Sequence, residues 1–252
     1  IYFSFMLDKK KFYINGQWVS PKKLKDYSVI DPSTEEECAV ISLGGEEDVN
    51  DAVNAASKAF ETWAFSTKAE RLKYLEALYE VYKKRWADMA KAISLEMGAP
   101  IDFSTQLQAG TGASHIKTYI KVLKSFTFEK ILGEHAPNNN ILHEPKGVCA
   151  LITPWNWPMN QVCLKVIPAI AAGCTMVLKP SEIAPLSSMI LAEMIDEIKL
   201  PKGVFNLVNG DGAVTGNALT SHPDVNMVSF TGSTRAGALI SQNAANDFKR
   251  VS

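Results

Sequence analysis

The sequence holds little that would mark a metal centre, a disulfide-stapled secreted fold or a membrane span. Its four cysteines, Cys38, Cys149, Cys163 and Cys174, make no CxxC pair. Three of them sit inside apolar runs, where a small buried thiol is the ordinary occupant, and a reduced, cytoplasmic setting is expected. The four histidines, His115, His135, His143 and His222, lack both the HxxxH and the Cys/His spacing of a zinc site, so no metal is expected. An excess of one charge is missing as well. With 26 basic and 27 acidic residues the formal net charge is -1, which offers neither nucleic acid nor an anionic membrane an electrostatic footprint. The longest uncharged apolar run, Val166 to Leu178, contains Pro168 and Gly173 and is shorter than the ~20 residues that cross a bilayer. A soluble protein is expected. Ile1 to Leu7 is apolar but lacks the basic flank and small-residue cleavage site of a signal peptide. Met6 reads as a natural start, with Ile1 to Phe5 upstream of it and the chain a piece of a longer protein.

What is present is core-forming material, 252 residues of which 46% are hydrophobic, enough for one large or two small domains. After a polar start with a turn at Ile14-Asn15-Gly16, residues 46–60 place Val49, Val53, Ala56 and Phe60 on one helical face. A capping box at Thr67-Lys68-Ala69-Glu70 opens a second helix toward Trp86, and further helix is expected over 86–96 and 102–125. Around Pro137-Asn138-Asn139-Asn140 the pattern changes to that of a projecting hairpin over 126–146. From Gly147 strands and helices alternate: strands over 147–153, 174–179, 203–208 and 225–230, helices over 158–172, 184–198, 213–220 and 235–245. That alternation predicts an α/β fold with a doubly wound parallel, Rossmann-like sheet, preceded by the N-terminal helices of 1–125 and the hairpin. Ligands of such sheets collect at the carboxyl ends of the strands.

Three places at those ends could carry chemistry. Val225 to Phe230 leads into Thr231-Gly232-Ser233-Thr234-Arg235-Ala236-Gly237, a turn of small residues opening a helix, where free amides and the helix dipole suit a pyrophosphate. Its spacing is GxxxxG, so an ordinary strand-to-helix turn fits as well; Gly210-Asp211-Gly212 is a second, weaker turn of this kind. Glu182, three residues past Lys179, could accept hydrogen bonds from an adenosine ribose and would repel the extra phosphate of NADP. A solvated Lys/Glu pair with Ser181 capping the next helix is the plainer alternative. Asn156, between Trp155 and Trp157 and flanked by prolines, could donate to a developing oxyanion. Residue chemistry alone favours a helix cap before Pro158.

Pro154-Trp155-Asn156, Lys179-Pro180-Ser181-Glu182, Phe230-Thr231-Gly232-Ser233-Thr234 and Lys249-Arg250-Val251 together resemble, in order and setting, the NAD(P)-dependent aldehyde dehydrogenases. The likeness begins near Phe12 and takes in Pro168-Ala169 and Gly173. It implies that Asn156 is the oxyanion-hole amide, with Lys165 in support. Lys179, Ser181 and Glu182 would hold the adenosine ribose of NAD, favoured over NADP. Ile152, Thr153, Pro154 and Trp155 would line the nucleotide cleft, Gly212, Phe230 and Gly232 would lie against the cofactor, and Ser233 would touch its pyrophosphate. It further implies that 126–146 belongs to an oligomerisation domain, that the full-length protein is a homo-oligomer oxidising a small aldehyde to an acid, and that the cysteine nucleophile and general-base glutamate follow Ser252 in a separate catalytic domain. Two other readings remain: a catalytically inactive nucleotide-binding scaffold ending at Ser252, and a short-chain dehydrogenase using Tyr79 and Lys83. The second fails on order, because that family's glycine-rich turn precedes its tyrosine and Gly232 lies far downstream.

Overall fold

Residues 6–252 are described by a computed structural model, and the reading of Ile1 to Phe5 as upstream sequence lies outside the described residues. The segment expected only as a polar start is a run of strands: β1 (Leu7–Asp8), β2 (Phe12–Ile14), β3 (Gln17–Val19), β4 (Asp26–Asp31) and β5 (Glu36–Ser42). Asn15 and Gly16, at φ 51° and 72°, make the two-residue turn between β2 and β3, the place where an Asn-Gly pair is least strained. Strands of two or three residues, β1 to β3, carry almost no alternation, and sequence pattern alone does not show them; β4 and β5, six and seven residues long, pair with each other as an antiparallel hairpin.

Helix α1 (Glu46–Trp63) is followed by α2 (Lys68–Lys84), whose capping box forms as expected: Thr67 N donates to Glu70 Oε2 at 2.7 Å and Glu70 N to Thr67 Oγ1 at 3.2 Å. Then come α3 (Trp86–Met97), α4 (Ile101–Phe103) and α5 (Ala109–Ser125). The single helix expected over 102–125 is interrupted by a π-helical turn at Ser104–Gln108. There the Trp86 indole donates to the Thr105 carbonyl at 2.8 Å, giving it a partner outside the helix. The hairpin forms from β6 (Glu129–Ile131) and β7 (Asn140–Leu142).

The alternating region supplies β8 (Val148–Ile152), α6 (Pro158–Ala172), β9 (Thr175–Lys179), α7 (Leu186–Glu197), β10 (Phe205–Leu207), α8 (Asn217–Ser221), β11 (Met227–Phe230), α9 (Thr234–Ala245) and β12 (Arg250–Val251). In the seven-stranded sheet the order is β12-β11-β8-β9-β10-β2-β3, parallel from β12 to β10 and antiparallel for β2 and β3. The doubly wound sheet is therefore as expected, with two antiparallel strands added at one edge. Side chains alternate between two cores: Cys149, Leu151, Met176 and Leu178 pack with α2, α3, α5, α6 and α7, while Val148, Ala150, Ile152 and Val177 pack with α1, α8 and α9. Half of the helix expected over 213–220 is a π turn at Gly212–Gly216, begun by Asp211, whose Oδ1 accepts the Val214 amide at 2.7 Å.

Two buried charges tie the helices to one another around this sheet. Gly173, at φ 81°, ends α6, and a Cβ there would collide with Nη2 of the buried Arg71, so the guanidinium rests on the glycine. The carboxylate of Glu96, in α3, is fully buried and accepts the amides of Leu186 and Ser187 at the start of α7. Burial raises its pKa to about 7 despite those amides. A carboxyl whose folded pKa lies above its unfolded value favours folding most below the unfolded value and loses that contribution as pH climbs through about 7. Glu96→Gln is therefore expected to flatten the fall in unfolding midpoint between pH 5 and 8. Glu96→Ala, which orphans two amides, should cost about 1–3 kcal/mol by chemical denaturation.

Candidate functional site

Strand order reverses at β8, with β9 on one side and β11 on the other, and a cleft of about 520 Å³ opens at the carboxyl ends of these strands. Ile152, Lys179, Gly212, Phe230, Ser233 and Arg235 are among the residues that line it. Lys179 is buried at the end of β9. Its ammonium donates to the carbonyls of Gly210 at 2.5 Å and Pro180 at 3.0 Å, with Glu182 Oε2 at 3.5 Å. Burial lowers its pKa, while Glu182 and Asp211 pull the other way. A cage of carbonyls thus fixes a positive charge on the cleft floor, and Glu182 is joined to the site through it.

Opposite Lys179, Ser233 caps α9: its Oγ accepts the Ala236 amide at 3.3 Å, which leaves its own hydroxyl proton free to donate. A Cβ on Gly232 would collide with the Phe230 ring, so this glycine lets the ring fold back across the turn. Nothing lies within 4 Å of a Cβ placed on Gly212, and the backbone there is open to a ligand. A capped helix N-terminus, an open glycine and a buried cation in one cleft fit a dinucleotide.

Of the run Ile152 to Trp155, Ile152 borders the cleft; Thr153 is buried beneath with its Oγ1 unpartnered, Pro154 is half-buried and Trp155 is exposed. Asn156 is exposed beyond β8. The cap of α6 is Trp157 with no side-chain hydrogen bond, so the helix-cap alternative for Asn156 is not what forms. Ser181 Oγ accepts the Ile183 amide at 3.3 Å, a local turn and not a cap of α7, whose cap residue is Pro185. Lys165 lies two turns along α6 and donates to Ser229 Oγ on β11 at 3.1 Å, with burial lowering its pKa. Phe103 meets the Trp157 ring edge-on at 5.7 Å.

The model of the aldehyde dehydrogenase family matches residues 18–252. The chain belongs to the aldehyde dehydrogenase family. It is 51% identical over 247 residues to a 3-succinoylsemialdehyde-pyridine dehydrogenase of a Pseudomonas species, a match covering 98% of this chain and 51% of that protein. Against the crystal structure of an aldehyde dehydrogenase from Bartonella henselae the identity is 60% and the TM-score 0.96, over 98% of this chain and 52% of that one. Aldehyde dehydrogenase C from Pseudomonas syringae, solved as a C291A mutant with NAD+ and octanal, aligns at 45% identity and a TM-score of 0.93, over 96% of this chain and 49% of that one. The chain spans about half the length of the relatives it matches, their N-terminal half with its nucleotide-binding fold.

Within this aldehyde dehydrogenase fold, several cleft residues have places that the sequence motifs do not assign them. Asp211 caps the π turn and reaches Lys25 at 3.4 Å, and Gly216 lies alongside the Lys179 side chain. Arg235 adds a second cation to the lining. The aspartate of Gly210-Asp211-Gly212 is readable as a cap from its neighbours; the position of Arg235 on the cleft side of α9 is not. Ser233→Ala removes the cap and is expected to cost roughly 1 kcal/mol, seen as faster hydrogen exchange in the first turn of α9.

Proposed function

We propose that this chain binds NAD in the cleft between Lys179 and Ser233 and that the protein containing it oxidises an aldehyde to a carboxylic acid. The observation that carries the reading is the pairing of a caged ammonium with a capped helix N-terminus across one cleft at the point where the strand order reverses. NAD bound there supplies the hydride acceptor. Lys179 and Glu182 hold the adenosine ribose, and the Glu182 carboxylate disfavours a 2′-phosphate, so NAD is preferred to NADP. Ser233 and the first amides of α9 take the pyrophosphate. The Asn156 amide, exposed and not spent on a helix cap, donates to the carbonyl oxygen of the substrate as charge develops on it. Lys165, through Ser229, holds α6 against β11 below that loop.

None of the four thiols here serves as the nucleophile in this reading. Burial raises Cys38 to about 11 and Cys163 to about 12, and Cys149 and Cys174 lie toward the amino ends of β8 and β9, at the far side of the sheet from Asn156. The nucleophile and general base belong to residues beyond Ser252. Residues 1–125 and 147–252 form the NAD-binding part and 126–146 the arm of a homo-oligomer in the cytoplasm, a reading supported by the paired hairpin β6–β7.

Calorimetric titration of the full-length protein tests the cofactor. Lys179→Met is expected to weaken NAD binding at least tenfold, about 1.4 kcal/mol, and Glu182→Gln to narrow the preference for NAD over NADP. Asn156→Ala should lower kcat by roughly 10²–10³-fold with the dissociation constant for NAD unchanged. Unaltered NAD binding in Lys179→Met would refute the cleft assignment.

A further inference from the structure

The connection from β9 to α7 carries Ser181 and Glu182, and it is fastened only at its two ends. Among the described residues, Pro180 to Pro185 make hydrogen bonds within themselves, to Lys179 before them and to α7 after them. The Ile183 amide donates to Ser181 Oγ at 3.3 Å, the Ala184 amide to the Ser181 carbonyl at 3.2 Å, Lys179 Nζ to the Pro180 carbonyl at 3.0 Å, and the Met189 amide to the Pro185 carbonyl at 3.0 Å. Glu182 reaches back to Lys179 at 3.5 Å. No side chain of another element hydrogen-bonds this stretch before α7 begins.

At that point Glu96 takes over. Pro185, the cap residue of α7, supplies no side-chain hydrogen bond, so the first amides of this helix need an acceptor from elsewhere. Glu96 Oε2 accepts the Leu186 amide and Oε1 accepts the Ser187 amide at 3.2 Å. The carboxylate is fully buried and stands in the last turn of α3, where the dipole of its own helix opposes a negative charge. Both circumstances work against a carboxylate here, whereas the amino end of α7 favours one. Glu96 is therefore a cap supplied by one helix to another, and with Lys179 it brackets the connection between two buried charges.

We propose that Glu96 is a positioning residue for the cofactor: by capping α7 it fixes the far end of the connection and holds Glu182 where it accepts from the adenosine ribose and opposes a 2′-phosphate, a role that rests on the reading of Lys179 and Glu182 as the ribose contacts. Glu96 is not among the residues lining the cleft, and its effect passes through the backbone from Leu186 to Glu182. Glutamine at this position keeps the shape of the side chain but offers one acceptor oxygen in place of two, and its nitrogen is a donor facing a donor. One amide of α7 then loses its partner, and the far end of the connection is released.

The test titrates the full-length protein, Glu96→Gln, Glu182→Gln and the double variant with NAD and with NADP, below the unfolding midpoint of each. Glu96→Gln is expected to weaken NAD binding about fivefold or more, the lower end of ordinary coupling between sites, and NADP binding less, so that the preference narrows. In the double variant the loss of NAD affinity should fall short of the product of the two single losses, because both substitutions act on one contact. A merely structural role would weaken both cofactors alike, and its effect would multiply with that of Glu182→Gln. In the unaltered protein NAD should slow hydrogen exchange at the Leu186 and Ser187 amides, a reading that stands even where a variant fails to fold. Unchanged NAD affinity in Glu96→Gln, an equal loss for NADP, losses that multiply in the double variant, or unchanged exchange at Leu186 and Ser187 would each overturn the proposal. Lys179→Met separates the two readings: if it weakens NAD binding and Glu96→Gln does not, the role of Glu96 alone fails, and if neither does, the cleft assignment fails with it.

Discussion

Everything in this molecule hangs on the enclosure of β8. Its five residues are buried, and their side chains alternate between two separate cores, so the strand is held from both faces. Because the chain leaves β8 toward β9 on one side and returns to β11 on the other, the connections diverge at the carboxyl edge. The cleft is the space that divergence leaves. It is thus a consequence of topology, and the residues around it are free to be chosen for ligand chemistry.

Among a largely apolar lining, the few polar groups are already assembled. A charge as deep as Lys179 is tolerated because two carbonyls and Glu182 satisfy it, and those same contacts bind β9 to the Gly210 turn. On the other wall Ser233 orders the N-terminus of α9, whose amides and dipole face the cleft. Such a site needs little reorganisation on binding, and the π turn at Gly212–Gly216 keeps the backbone between the two walls open.

The amino edge of the sheet is built differently. There Arg71 joins α2 to the ends of α1 and α6 by hydrogen bonds to backbone carbonyls, and at the opposite, carboxyl edge Glu96 joins α3 to the start of α7 in the same way, where apolar contacts would be usual. Buried charges of this kind fix geometry more than they stabilise. The protein therefore opens its candidate cleft at the carboxyl ends of the strands and fastens its helices to one another with buried charges at both ends.

Much of this is legible in the order of residues along the chain. The apolar runs separated by small-residue turns locate four of the five parallel strands, because strands buried on both faces are apolar throughout. The capping box of α2 and the turn at Ser233 follow from local hydrogen-bond chemistry that needs only neighbours in sequence. The short strand β2 and the π turn at Ser104–Gln108 do not, since they depend on the edge of β10 and on Trp86, outside their own segments. Likewise Asn156 has a helix cap and an amide donor as alternatives, and only the packed chain decides that no cap forms. Composition and spacing determined the fold class and the motifs; which carbonyls surround Lys179, and which receive Arg71, were decided by the packing that brings distant residues together.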